Sequence, residues 1–454
     1  MGIGIRVVDK KETKSNRYAP LGFTRNPFPR KPSVNINSSD DRENGSIYIP
    51  DLRLTEIDSF KKIVVPQKNG QETKNISFLM DYATRQGRGI GKTSFLNYQH
   101  KQINKDLGDD ISQGGEVLFA VYASPVPGDV YKKFWNFTKL IIKSIIDQNL
   151  FSIAICRLRV LSKELPSDIV EKVSDKDILE TIGSDRWLME NGFRNIHELN
   201  YTVRRNLESK GVDSKLSERA ARFGTVAADF SKYYIEPMSD TEWKKRANEM
   251  LFNDFVTVFS QAGFTKGIIL FDELEKIVQP QNSQDRRSFC EELRYWCIDG
   301  DNNNAINSFF NVLLVIHPYI QELLNPHWAA SGLERFSSLG GHFDDMSTVF
   351  FTPIKEEQAI PLAIEYMKNS RADTSEDISP FTKDGLEDAL IKSLKVPGKF
   401  LSFLHQLIEK AIDDKWQVID KAKVNALSLS NLSVDLQDEG DNSTNTINDP
   451  KVKL

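Results

Sequence analysis

The stretch Gln86-Gly87-Arg88-Gly89-Ile90-Gly91-Lys92-Thr93-Ser94 sets glycines, a lysine and two hydroxyls at a spacing suited to holding phosphate. Glycines let backbone N–H groups turn inward and approach a phosphate closely. The N-terminus of a following helix adds partial positive charge. Lys92 can then reach β- and γ-phosphates, and the Thr93 hydroxyl can ligate Mg²⁺. The full pattern G-x-x-x-x-G-K-[ST] puts its first glycine at Gln86, and Gly87, one place later, can supply that turn instead. An ordinary glycine-rich turn would leave Lys-Thr-Ser after the third glycine unexplained. The candidate nucleotide contacts are therefore Gly87, Arg88, Gly89, Ile90, Gly91, Lys92, Thr93 and Ser94.

A second stretch, Gly267-Ile268-Ile269-Leu270-Phe271-Asp272-Glu273, is an apolar strand ending in two carboxylates, as in a Walker B segment. Asp272 would hold Mg²⁺ through water, making Thr93 and Asp272 the metal candidates. Glu273 would orient or deprotonate an attacking water, the catalytic role that phosphoryl transfer to water needs. Two acids in that place also suit a strand-to-helix cap, a reading that loses force beside the Gly-Lys-Thr loop.

The elements around these residues are those the chemistry needs. Ile76-Ser77-Phe78-Leu79-Met80 reads as a buried strand, and the residues from Phe95 to Leu107 read as a helix, giving strand, loop and helix in order. Glu116 to Tyr122, Phe309 to Ile316 and Ser347 to Phe351 read as further strands alternating with helical patterns such as Arg286 to Trp296. That alternation predicts an α/β fold with a parallel sheet. His317 ends the strand from Phe309, at the carboxyl edge where open α/β sheets bind ligands.

Composition sets outer bounds. At 454 residues and 39 % hydrophobic content the chain can bury a large core across two or three domains. Its net charge of -5 offers no bulk attraction to nucleic acid or anionic membrane. Three cysteines without C-x-x-C spacing indicate neither a disulfide framework nor a zinc knuckle, and a reducing cytoplasm fits. Arg6, Asp9, Lys10 and Lys11 interrupt any signal-peptide core, and no apolar run reaches membrane-spanning length.

Residues 1–46 are expected to form a basic arm and linker, a solvated tail lying across the nucleotide domain. Residues 47–353 are expected to form the nucleotide-binding core. Lys92 and Asp272 lie 180 residues apart, far more than one crossover requires, which predicts a helical insertion at about 150–240. The basic residues Arg204, Arg205, Lys210, Lys215, Arg219 and Arg222 within it suit a solvated helix face better than a nucleic-acid groove. Residues 354–426 carry three helical patterns, from Lys355, Phe381 and Lys399, and 427–454 read as a disordered tail.

The order of these parts resembles an AAA+ P-loop ATPase, nearest in style to the origin-recognition-like prokaryotic ATPases. The resemblance covers about residues 47–150 and 240–415. It implies ATP and Mg²⁺ as ligands, and a C-terminal helical lid over the nucleotide. Lys399, in Pro397-Gly398-Lys399, would sense the γ-phosphate where arginine is usual. His317 would be the polar sensor after the Walker B strand, a place usually held by Asn, Thr or Ser; a core or capping histidine is an equal reading. Arg335, in Gly332-Leu333-Glu334-Arg335-Phe336, would be an arginine finger acting across a homo- or hetero-oligomer interface, and a plain surface arginine stays open beside it. Gln86 and the long insertion depart from the family's pattern, and about forty residues after Ile412 leave no room for the winged helix of the origin-recognition group.

The expected function is an ATP-hydrolysing switch or motor acting on a nucleic-acid or protein partner, with no membrane role. Replication, transposition and defence against foreign DNA are all consistent with the resemblance. The alternative is a signal-transducing NTPase that uses nucleotide as a latch and hydrolyses it slowly.

Overall fold

A computed structural model of the chain describes residues 16–31, 34, 38–65, 75–81, 89–105, 117–126, 131–174, 176–300, 309–339, 347–371 and 377–427. Gln86, Gly87, Arg88 and the expected tail from 428 onward lie outside them. The described residues fall into two compact units, one built from residues within 53–87 and 92–352, the other from 16–52, 89–91 and 353–427.

The first unit is α/β. Its five strands are β1 (Ile76–Asp81), β2 (Leu118–Ala123), β3 (Lys266–Phe271), β4 (Phe310–Ile316) and β5 (Thr348–Phe351). They form one sheet in the order β2-β3-β4-β1-β5, every pair parallel. Parallel sheets carry helices on both faces, so their strands are apolar throughout. β1 and β4 are accordingly buried along their whole length.

Pleating sorts each strand's residues between the two faces. Phe78, Val121, Ile269 and Leu314 point into one large core shared with the helices Phe134–Asp147 and Pro318–Ala330. On this face Trp328 meets Phe78 edge to face, with ring centroids 5.3 Å apart. On the other face the helix Lys92–Lys105 sets Phe95 against Phe60 and Phe351, and Asn104 exchanges two 2.8 Å hydrogen bonds with the backbone of Ala120. Gly267 is dictated by packing: a Cβ there would lie 2.7 Å from both Phe119 and Phe310.

The connection from β2 to β3 is helical, but its helices run from Phe134 to Gln261, wider than the expected 150–240. Most of them share the sheet's core, because their apolar faces join it through Phe151, Leu207, Trp243 and Phe255. Residues around Leu165, Ile182 and Leu199 make a separate small core. There Arg159, 1 % exposed, donates to the carbonyl of Ile182, to Asp185 and to Asn200 at 2.9–3.0 Å. The cysteines are buried and unpaired, and burial pushes the pKa of each thiol up to about 12.

The second unit is a helical bundle containing Ala359–Lys368, Lys383–Lys392 and Pro397–Asp413, matching the three expected patterns. Its core also holds Leu21, Phe23 and Phe28. The N-terminal segment, expected as a solvated tail, is therefore folded into this unit over 16–31. Its basic composition obscured two phenylalanines that are fully buried. Asn26 and Tyr18 fix the segment by donating to Glu409 at 2.8 Å.

Candidate active site

The strand register carries the ends of β1, β3 and β4 to one edge of the sheet. Met80 is level with Ile316 and Phe271 with Leu314, so Asp81 ends β1 while Asp272 and His317 stand just past the carboxyl ends of β3 and β4. The chain leaves β1 toward β2 in one direction along the sheet and leaves β4 toward β5 in the other. This reversal between adjacent strands marks where open α/β sheets take their ligands.

After β1, the backbone φ of Gly89 is +82° and that of Gly91 is +102°. Nothing among the described residues would touch a Cβ at Gly91, and its positive φ is what demands glycine there. Ile90 between them is buried. Lys92 opens the 14-residue helix Lys92–Lys105, with Thr93 and half-buried Ser94 in its first turn, where backbone N–H groups have no intrahelical partner.

The structure brings Lys92, Thr93 and Asp272 together. Thr93 Oγ1 donates to Asp272 Oδ2 at 2.7 Å, and Tyr122 Oη donates to the same oxygen at 2.9 Å. Tyr122 reaches it because Tyr122 and Leu270 are in register, placing the phenol on the face that carries Asp272 two residues on. Lys92 Nζ lies 3.9 Å from Asp81 Oδ2, and both side chains are buried. Burial lowers the pKa of Lys92 against the opposing pull of Asp81, Asp272 and Glu275. Burial raises that of Asp272, with its hydrogen bond from Thr93 acting the other way.

Glu273 has φ +55°, a left-handed conformation that non-glycine residues seldom adopt. Its carboxylate accepts from Ser124 Oγ at 2.9 Å and pairs with Lys276 Nζ at 2.5 Å. His317 occupies the N-cap position of the helix Pro318–Ala330 without a side-chain cap bond, and its Nε2 lies 3.2 Å from Glu275 Oε1. Burial alone would raise the pKa of Glu275, but the bond and charge of His317, with Lys92 beyond, bring it below its ordinary value.

Thr93 and Asp272 suit Mg²⁺. Both offer hard oxygens, and their 2.7 Å separation is near the ~2.9 Å between neighbouring corners of an octahedron with ~2.05 Å arms. Among the described residues no group of three or more His, Cys, Asp or Glu side chains forms a cage for a metal ion. A Mg²⁺ here would thus draw further oxygens from a ligand or from water.

Arg335 makes no hydrogen bond or ion pair with this group among the described residues, and Lys399 belongs to the helical unit. Arg335 is exposed and its guanidinium has no side-chain partner among the described residues. Nearby, Ser337 Oγ donates to the carbonyl of Ile76, at the start of β1 and not at its Asp81 end. Lys399 is the third residue of Pro397–Asp413 in the helical unit, where Gly398 N–H donates to the carbonyl of Gly89 at 2.7 Å.

Sequence reasoning missed Asp81, Tyr122, Ser124 and Glu275. Asp81 directly follows the apolar run of β1, and Glu275 follows Glu273 in Asp-Glu-Leu-Glu, so both were visible as polar breaks. Tyr122 and Ser124 carried no signal, because only strand pairing brings them to the carboxylates. No protein-family model, no curated protein and no solved structure matches this chain.

Proposed function

We propose that this protein binds and hydrolyses ATP as an AAA+-type ATPase, working as a switch or motor on a nucleic-acid or protein partner. One observation carries the reading: Thr93 and Asp272, 179 residues apart in sequence, meet at 2.7 Å beside Lys92. A lysine and a hydroxyl opening a helix, against a carboxylate past a neighbouring strand, suit a nucleotide's phosphates with their cation.

In this reading Lys92 neutralises the β- and γ-phosphates while Thr93 and Asp272 hold Mg²⁺. The metal, when bound, offsets charge on the phosphate oxygens. Glu273 orients the attacking water once its carboxylate is freed from Ser124 and Lys276. Lys399 keeps its sensor role as part of the proposal, and Arg335 acts on the nucleotide of a neighbouring subunit.

The engagement of Glu273 by Ser124 and Lys276 specifically favours a second reading, a nucleotide latch with slow turnover. A carboxylate held by a hydroxyl and an ammonium must break those bonds before it can reach a water. Calorimetric titration with Mg-ATP, alongside steady-state phosphate release, tests both. Wild-type protein binds ATP under either reading, while Lys92→Ala does not. Release faster than about one per second supports the motor, and release far slower supports the latch. Unchanged affinity in folded Lys92→Ala protein would falsify both.

A further inference from the structure

Two polar atoms beside the proposed phosphate site have no partner among the described residues. Glu275 Oε2 and His317 Nδ1 are both buried without a hydrogen bond, although the other oxygen and the other nitrogen of the same side chains face each other at 3.2 Å. A buried polar atom left unpaired forfeits its hydrogen bonds to water, so two on one contacting pair call for a reason. They belong to the α/β unit that also holds Lys92, Thr93 and Asp272.

The pairing fixes what these atoms lack. An ionised carboxylate can only accept, so the Nε2 facing Glu275 Oε1 carries the hydrogen and donates it. In the neutral ring Nδ1 then holds a lone pair. Glu275 Oε2 is likewise an acceptor. Both orphaned atoms need a donor, which a phosphate oxygen is not and a water molecule is.

We propose that Glu275 and His317 form a carboxylate–imidazole pair that holds the water attacking the terminal phosphate. Glu275 is the positioning residue that fixes the ring, and His317 accepts from the water at Nδ1. This rests on the ATPase reading above, and it replaces the expected role of His317 as the polar sensor after the Walker B strand. In the step it serves, the water oxygen bonds to the terminal phosphorus as the bond to the leaving diphosphate breaks. The electron pair of the broken bond stays on the diphosphate oxygen. The water's proton passes to Nδ1 and from there to solvent, and the imidazolium is stabilised meanwhile by Glu275. Glu273 is engaged by Ser124 and Lys276, whereas this pair has acceptors to spare.

The test measures ATP and ADP affinity by calorimetry, and phosphate release, for wild type, Glu275→Ala, Glu275→Gln and His317→Ala. Circular dichroism and thermal unfolding confirm that each variant is folded. The expected result is a kcat lower by about a hundredfold in His317→Ala and Glu275→Ala, with both nucleotide affinities within about threefold of wild type. Glu275→Gln keeps an acceptor for Nε2–H and is expected to recover part of the loss, which a purely structural role would not require. A selective loss of ATP affinity with ADP affinity intact would make His317 a phosphate donor and overturn the proposal. Unchanged turnover in both alanine variants overturns it alone, leaving the ATPase reading standing. Wild-type protein that binds no ATP overturns the parent reading and this one with it.

Discussion

Thr93 Oγ1 and Asp272 Oδ2 lie 2.7 Å apart, joining the first turn of the helix Lys92–Lys105 to the residue next beyond β3. If they share a Mg²⁺, Asp272→Asn removes the only charged oxygen of the two. The variant is expected to keep ATP affinity at saturating metal and to need at least about tenfold more Mg²⁺ for half-maximal turnover. A magnesium titration of phosphate release that superimposes on wild type would remove Asp272 from the metal site.

Glu273→Gln separates binding from turnover. The amide retains the shape and still accepts from Ser124, but it lacks the charge with which the carboxylate would orient the attacking water. Nucleotide affinity is expected to stay at wild-type level while kcat falls by about a hundredfold or more. Because that variant traps the bound state, it is also the form with which to capture nucleic-acid or protein partners. Normal hydrolysis by Glu273→Gln would assign the carboxylate to capping the strand end.

Much of this site was legible in the sequence because its parts sit at the ends of apolar runs. Ile76 to Met80 and Gly267 to Phe271 announce strands, and the polar residues immediately after each run must lie at the sheet's edge. The contacts that could not be read are those that depend on pairing between strands. Ser124 finds Glu273 only because Ala123 is in register with Phe271, and Glu275 finds His317 only because β4 lies beside β3. The helical connection before β3 was legible as helix but not in its extent, since Phe151 and Trp243 bury against the sheet as readily as against each other. Nor did periodicity foretell the π-helical turns Met250–Phe255 and Tyr295–Asp299, which set Phe252 and Trp296 in a stack 5.4 Å apart.

Arg159 is expected to hold the small core of the insertion together. Replacing it with methionine keeps much of the buried volume but strips the Ile182 carbonyl and Asn200 of their donor. The expected loss is about 3 kcal/mol in urea unfolding. Nucleotide affinity measured on the folded fraction is expected to be unaffected. A loss below about 0.5 kcal/mol would show that these groups find other partners.

Asp254 gives the fold a pH dependence of defined sign. It is 7 % exposed, and burial pushes its carboxyl up to about 6 although Asp213 N–H donates to it and Arg246 lies 3.7 Å away. The unfolded carboxyl titrates near ~3.9. Between about pH 4 and 6 the folded chain therefore binds a proton that the unfolded chain has lost, and stability falls as pH rises through that window. Asp254→Asn removes the penalty while keeping an acceptor for Asp213. It is expected to be more stable than wild type by about 1–3 kcal/mol at about pH 7.5 and equal to it at about pH 4. A difference that does not change between the two pH values would mean that the carboxyl is not raised.

Arg335 is expected to serve a nucleotide other than its own. Two residues on, Ser337 is bonded to Ile76 at the start of β1, whereas Asp81 and the helix beginning at Lys92 lie at and beyond the strand's far end. Five residue steps along a strand span ~16 Å, beyond an arginine's reach from one end to the other. With no side-chain partner of its own among the described residues, the guanidinium is available to a neighbouring subunit. Turnover per subunit should then rise with protein concentration, and Arg335→Ala should bind ATP normally while hydrolysing it at least about a hundredfold more slowly. Mixing Arg335→Ala with Lys92→Ala should restore part of the activity, since one contributes an intact phosphate loop and the other an intact arginine. That rescue requires a head-to-tail interface, because a two-fold isologous contact would bring like surfaces together. Full activity in a dilute monomer, or normal hydrolysis by Arg335→Ala alone, would leave Arg335 a surface residue and strengthen the latch reading.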